Sequence, residues 1–183
     1  MRDLLAYLRI VHNPNDKVSF ARVVNVPKRG IGETSLRQFQ SWAASAGISY
    51  DEAMERIRLG EKTPVSGRSA KLFGDFGMQI RRWRQIAETG DMVELFDSIV
   101  GDTGYRFYLT EISDTDEQAI DRAENVKELR GLIARAKEEG KTLADFITDQ
   151  SLVADVDALE ADGDYVTMLT LHSAKVLEYP VVF

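Results

Sequence analysis

Leu4, Leu5, Tyr7, Leu8 and Val11 recur at the spacing of one helical face, and Asn13-Pro14-Asn15-Asp16 then breaks the pattern, so the first helix is predicted over residues 3–12. Asp16 is placed to cap a second, short helix carrying Phe20, Val23 and Val24. Pro27 stops it, because proline disfavours helical dihedrals in the residue before it. After Lys28-Arg29-Gly30-Ile31-Gly32-Glu33-Thr34-Ser35 comes a third helical run, in which Leu36, Phe39, Trp42 and Ala43 share a face. Ser49 followed by Glu52 is a capping box that opens a helix with Ala53, Met54 and Ile57, ended by Gly60. A longer helix is predicted from Ser66 or Ser69 to Glu88, with Leu72, Phe76, Ile80, Trp83 and Ile86 inward. Gly74 and Gly77 weaken its middle, and Gly90 stops it.

Asp91 caps a further helix through Leu95 and Ile99, closed by Asp102-Thr103-Gly104. Tyr105-Arg106-Phe107-Tyr108-Leu109 has the β-propensity of a strand but sits among helices, and is read as helix. Asp114 to Glu117 is a turn; Ala119, Ile120, Ala123, Val126, Leu129, Leu132, Ile133 and Ala136 then form a helical stripe ended by Gly140. Thr142 caps a helix holding Leu143, Phe146 and Ile147, followed by an acidic stretch from Asp155 to Asp164. The character changes at Tyr165-Val166-Thr167-Met168-Leu169-Thr170-Leu171-His172, dense in β-branched and apolar residues and read as a buried strand. A second strand pattern, Pro180-Val181-Val182-Phe183, ends the sequence. The expected fold is mainly α: a bundle of about eight helices with a helix-hairpin-helix-like turn, plus a short C-terminal β segment.

Composition narrows the function classes. With 44% apolar and 29% charged residues, the 183-residue chain falls in the ordinary globular class. It has no cysteine, so disulfides and thiolate metal sites are excluded and a reducing cytoplasm is compatible. Apolar runs such as Thr167–Leu171 fall far short of the roughly 18 to 20 residues that span a bilayer, and the N-terminal residues lack a signal-peptide pattern, so neither membrane nor export is expected. The net charge of −7 speaks against a nucleic-acid partner until its distribution is considered. Residues 1–40 carry seven lysines and arginines against three acids, a net of +4, which leaves −11 on the remainder. Such asymmetry lets one face meet phosphate while the rest stays solvated, although ordinary surface cations would give the same count.

Three groups of residues invite a chemical reading. Gly30-Ile31-Gly32 between two helices resembles a helix-hairpin-helix turn, in which glycines let backbone N–H groups face outward as an anion nest and let a phosphate approach closely. Thr34 or Ser35 would cap the next helix, whose dipole adds to the attraction, and Lys28, Arg29 and Arg37 surround the turn with positive charge. The bland alternative is a plain turn joining two helices. A second basic group, Arg81-Arg82-Trp83-Arg84 with Arg68 and Lys71, could track a strand and stack on a base; the favoured reading is a buried Trp83 with arginines paired to acids. His172 and Lys175 stand without a carboxylate cluster at ligand spacing, so no metal site is expected.

Two stretches carry a family resemblance. Thr170-Leu171-His172-Ser173-Ala174-Lys175-Val176-Leu177-Glu178-Tyr179 resembles motif V of UvrD/PcrA/Rep-type superfamily 1 DNA helicases, T-L-H-x-A-K-G-L-E-[FY]. Asn25-Val26-Pro27-Lys28-Arg29-Gly30-Ile31-Gly32-Glu33-Thr34-Ser35-Leu36 is similar to the N-x-P-x-R-G-I-G-x-x-[ST]-L of their 2B domain, and Tyr7-Leu8-Arg9-Ile10 and Asn13-Pro14-Asn15-Asp16 precede it at the family's spacing. The resemblance implies that residues 1–164 are the 2B accessory domain and residues 165–183 the start of the re-entrant, RecA-like 2A segment. It implies duplex-phosphate contacts at Lys28, Arg29, Gly30, Ile31, Gly32, Thr34, Ser35 and Arg37, independent of base sequence and sensitive to salt.

For motif V it implies that Thr170 and His172 lie near single-stranded DNA and that Glu178 reaches the nucleotide ribose, with Lys175 in the same motif. Those roles are latent without the remaining motor domains. No G-x-x-x-x-G-K-[ST] occurs, so the phosphate cradle of an ATPase is missing; ATP and Mg belong to the expected parent helicase, and no catalysis is expected from these residues alone. Val176 stands where the family has glycine, and a β-branched residue resists the positive φ or close approach that a glycine there would serve. A native valine implies impaired coupling between nucleotide and DNA, an introduced one concerns this chain alone, and the sequence is compatible with either. The expected setting is the bacterial cytoplasm, on nucleoid DNA. The competing reading is a protein-interaction or autoinhibitory helical module that docks repair or transcription proteins through its acidic surface.

Overall fold

The computed structural model describes residues 1–159, with side chains through Ser151. Among the described residues there are nine helices and no strand: α1 (Arg2–His12), α2 (Lys17–Val23), α3 (Glu33–Ala46), α4 (Tyr50–Arg58), α5 (Gly67–Glu88), α6 (Met92–Thr103), α7 (Tyr105–Glu111), α8 (Asp116–Glu138) and α9 (Leu143–Leu159). Met1–Asp149 forms one compact unit; a second begins at Gln150, of which the helical residues to Leu159 are described. The predicted domain boundary at residue 164, the predicted strands and motif V lie outside the described residues.

Side-chain caps set where several helices begin. Asp16 Oδ1 accepts from the Ser19 N–H at 2.9 Å, Ser49 Oγ from Glu52 at 3.1 Å, and Asp91 Oδ1 from Glu94 at 3.0 Å. Thr115 caps α8 through the Gln118 N–H at 3.2 Å, within the predicted turn, and Thr142 Oγ1 accepts from Asp145 at 3.3 Å. Each such bond satisfies a donor that the helix leaves open and contributes about 1 kcal/mol. Gly104, at φ +65°, ends α6 and lets the chain restart at once as α7. The helical reading of Tyr105–Leu109 therefore holds: Tyr105 and Leu109, four residues apart, are both buried, and tertiary packing overrides β-propensity.

The core is built around α5, which packs against α1, α4 and α6. Phe73 stacks on Phe39 with ring centroids 4.4 Å apart, and Tyr50 closes on Phe20 at 4.7 Å. Trp83 is fully buried, meets Tyr7 edge-on at 5.6 Å, and donates its indole N–H to Asp102 Oδ2 at 3.0 Å. The glycines that weaken α5 by propensity have a packing reason. A Cβ on Gly77 would lie 2.8 Å from Met54 Cβ, so the missing side chain lets α4 approach α5 closely. At Gly74 the same test finds Arg58 Cβ at 3.5 Å, an ordinary contact.

α8 lies on α6 and α7 through Val126, Leu129, Ile133 and Ala136. The predicted stripe is buried only along that part, since Ile120 in its first turns is 61% exposed. α9 runs to Leu159, so its helix takes in the first half of the stretch read from sequence only as acidic.

Candidate nucleic-acid interface

The turn from Asn25 to Gly32 joins α2 to α3 and is organised by one amide side chain. Asn25 Oδ1 accepts from the backbone N–H of Arg29 at 3.0 Å and of Ile31 at 3.3 Å, while its Nδ2 donates to the Ile31 carbonyl at 2.7 Å. The Ile31 side chain is buried in the core. The expected outward nest is corrected at two of its amides: the N–H groups of Arg29 and Ile31 face Asn25, because a side-chain carbonyl inside the turn satisfies them first. Gly30 carries φ +83°, which a residue with a side chain resists; Gly32, at φ −70°, sits in open space and has no such requirement.

Arg29 is also turned inward. Its Nη1 donates to the carbonyls of Val23 at 2.8 Å and Val24 at 3.3 Å, and its Nη2 to the Tyr7 hydroxyl at 2.6 Å. Its guanidinium carbon lies 4.3 Å from the Phe76 ring centroid, a cation–π contact. The Tyr7 hydroxyl in turn donates to the Val26 carbonyl, and burial pushes its pKa above the ordinary value of 10.0. Arg29 thus ties the end of α2 to α1 and to α5.

What faces solvent is different. Lys28 is exposed and makes no ion pair among the described residues. It borders a shallow groove of about 250 Å³ lined also by Leu72, Asp75 and Gln79 of α5. Gly32 is the N-cap of α3 and offers no side-chain hydrogen bond, so the predicted cap by Thr34 or Ser35 is corrected. The helix begins two residues earlier than a Thr34 cap requires and three earlier than a Ser35 cap, which leaves Thr34 exposed in the first turn. Ser35 Oγ instead lies 2.9 Å from Ser69 Oγ at the start of α5. Arg37 is exposed but shares its charge with Glu33 at 2.8 Å, one helical turn away. Of the predicted contact residues, then, Lys28, Gly30, Gly32, Thr34 and Arg37 are each exposed, Ser35 and Arg29 are half-buried, and Ile31 is buried.

Two further residues, outside the predicted contact set, lie at the turn. Asn25 is the staple of the turn, and an asparagine a few residues ahead of a glycine is a readable turn signal. Arg68, in the first turn of α5, comes within 3.8 Å of the place a Gly30 Cβ would occupy. No sequence spacing announces that approach. The second basic group resolves toward its favoured reading except at Arg68, which makes no ion pair among the described residues: Trp83 is core, Arg81 pairs with Glu55 at 3.1 Å, Arg82 with Asp102 at 3.4 Å and Arg84 with Asp51 at 2.8 Å. Arg84 also donates to the carbonyls of Val11 and Ile10, each at 3.2 Å, so it anchors α1 on α5.

The sequence pattern described as the UvrD-like helicase C-terminal domain matches residues 1–183. The chain is similar to the ATP-dependent DNA helicase PcrA of Bacillus subtilis, 39% identical over 191 residues that cover 100% of this chain and 25% of that protein. It is 36% identical over 185 residues to a probable DNA helicase II homolog of Rickettsia conorii, covering 100% of this chain and 27% of the other. Similarity to the ATP-dependent DNA helicase PcrA of Staphylococcus aureus runs at 36% over 190 residues, 100% and 25% of the two chains. The chain spans about a quarter of the length of the curated relatives it matches.

Proposed function

The chain belongs to the UvrD-like helicase C-terminal domain family, and on that premise we propose that it is a DNA-binding accessory and regulatory domain of an ATP-dependent 3′-to-5′ DNA helicase. It grips duplex DNA through backbone phosphates and reads no bases. The observation that carries this is the start of α3: a helix N-terminus without a side-chain cap, entered from a glycine turn on which Lys28 is exposed with no carboxylate partner among the described residues. Open N–H groups and the positive end of the helix dipole favour an anion there, and Lys28 adds a full charge. Glu33 in the same turn opposes it and holds Arg37 in an exposed pair, a weak interaction that a phosphate can displace.

In the whole protein, ATP and Mg are the proposed cofactors and the remaining motor domains the proposed immediate partners. Thr170, His172, Lys175 and Glu178 are proposed to serve single-stranded DNA and nucleotide only within that assembly. The proposed setting is the bacterial cytoplasm. A fluorescence-anisotropy titration of a labelled DNA duplex at low salt tests the duplex reading. Replacing Lys28→Glu together with Arg37→Glu should weaken binding and flatten the salt dependence by about one in log–log slope for each phosphate no longer neutralised. Equal affinity and slope for the wild type and the double variant would overturn it.

A second reading, docking of a protein partner, draws on a different surface. Phe107 on α7 is 70% exposed, Ile112 at its end 42%, and Ile120 on α8 61%. Retention of a repair or transcription protein that survives the Lys28→Glu and Arg37→Glu changes but is abolished by Phe107→Ser would favour it.

A further inference from the structure

We propose that Arg68 is a further phosphate-binding residue of this interface, so that the duplex backbone is held from two elements, the Gly30 turn and the first turn of α5. The proposal rests on the duplex reading above and extends it to a residue outside the family-like motif.

Geometry places Arg68 at the turn. Its Nη2 lies 3.8 Å from where a Gly30 Cβ would stand, so the guanidinium lies beside the glycine with no side chain between them. The Ser35–Ser69 hydrogen bond at 2.9 Å fixes the first turns of α3 and α5 to each other, and Arg68 immediately precedes that joint. The backbone from which Arg68 reaches the Gly30 turn is therefore tied to the start of α3.

Charge pairing distinguishes Arg68 from its neighbours. Arg37 is paired with Glu33, Lys71 with Asp75, and Arg81, Arg82 and Arg84 with carboxylates of α4 and α6. Arg29 is occupied by backbone carbonyls and the Tyr7 hydroxyl. Arg68 is exposed and has neither hydrogen bond nor ion pair among the described residues, in a chain with 30 acids against 23 lysines and arginines. An arginine without an ion pair among the described residues, lying beside an exposed glycine turn on so acidic a protein, is suited to an external oxyanion. Its planar fork can hold a phosphate through two parallel N–H donors, where Lys28 supplies a point charge.

The test is anisotropy of a labelled DNA duplex against salt for the 183-residue chain and three variants, Arg68→Ala, Arg68→Lys and Lys28→Ala, with a thermal melt of each. Arg68→Ala should weaken binding and lower the salt slope by about one, and Arg68→Lys should restore the slope, because it retains one cationic contact. A purely structural role would lower the melting temperature and leave the slope of the folded fraction at the wild-type value; that result overturns the assignment. Weakened binding in Lys28→Ala with wild-type affinity and slope in Arg68→Ala overturns the role of Arg68 and leaves the turn as the interface. Wild-type behaviour in both overturns the duplex reading itself.

Discussion

The guanidinium carbon of Arg29 lies 4.3 Å from the centroid of the Phe76 ring, so a cation from the middle of the basic turn is fixed to α5. Its fork also bonds carbonyls at the end of α2, a set of contacts that a lysine cannot reproduce. Arg29→Lys is therefore expected to destabilise the fold by about 2 kcal/mol even though the charge is kept, since charge-assisted hydrogen bonds contribute roughly 1.5–3 kcal/mol and the cation–π contact about 0.5–1. A urea denaturation midpoint measures it. A midpoint unchanged in Arg29→Lys would show that the fork and the ring contact contribute nothing.

Gly74 and Gly77 lie one turn apart in α5 and should respond differently to alanine. At Gly77 the new methyl would meet Met54 Cβ at 2.8 Å, near the α4 backbone and not at a flexible tip, so Gly77→Ala should cost about 1–3 kcal/mol through overpacking. At Gly74 the nearest atom is at 3.5 Å, and the gain in helix propensity should make Gly74→Ala neutral or stabilising by up to about 1 kcal/mol. Thermal melts of the two variants decide it; equal shifts would mean that α4 and α5 are not in this close contact.

Glu55 sits between two arginines and should make stability fall on acidification. Hydrogen bonds from Arg58 first, and then from Arg81, lower its pKa from 4.5 to about 2. Because the folded value lies below the unfolded one, the unfolded chain takes up the proton first. The stabilisation is complete above pH 4.5 and disappears as pH falls to about 2. The difference in urea midpoint between the wild type and Glu55→Gln should be constant near neutrality and close within that window. A difference that persists unchanged at the acid end would assign the effect to packing.

Much of the fold is legible in the sequence where the cause is local. Asp16, Ser49, Asp91 and Thr142 cap as their spacing predicts, because the donor and acceptor lie within three residues. On α5 periodicity finds Phe76, Ile80 and Trp83, but not Phe73, which is fully buried against Phe39, while Leu72 and Ile86 are only partly buried. The role of Gly77 is not legible: the sequence records a missing side chain, and only Met54 across the helix pair explains it. Arg29 misleads for a similar reason, since its partners Tyr7 and Phe76 come from two other helices and nothing in a run of cations marks which one is enclosed. Arg68 belongs to the same class, an approach between residues distant in sequence that only the packing of α3 on α5 creates.

The Asn25 staple and the Arg29 anchor have a mechanical meaning. With the turn bonded at the Arg29 and Ile31 amides and its arginine secured to α1 and α5, a pull on Lys28 is passed directly into the helical body. The loop offers little compliance of its own. In the proposed duplex complex, adjustment to the uneven path of a phosphate backbone falls to the flexible stems of Lys28 and Arg68, above a turn whose Arg29 is bonded to α1 and stacked on α5.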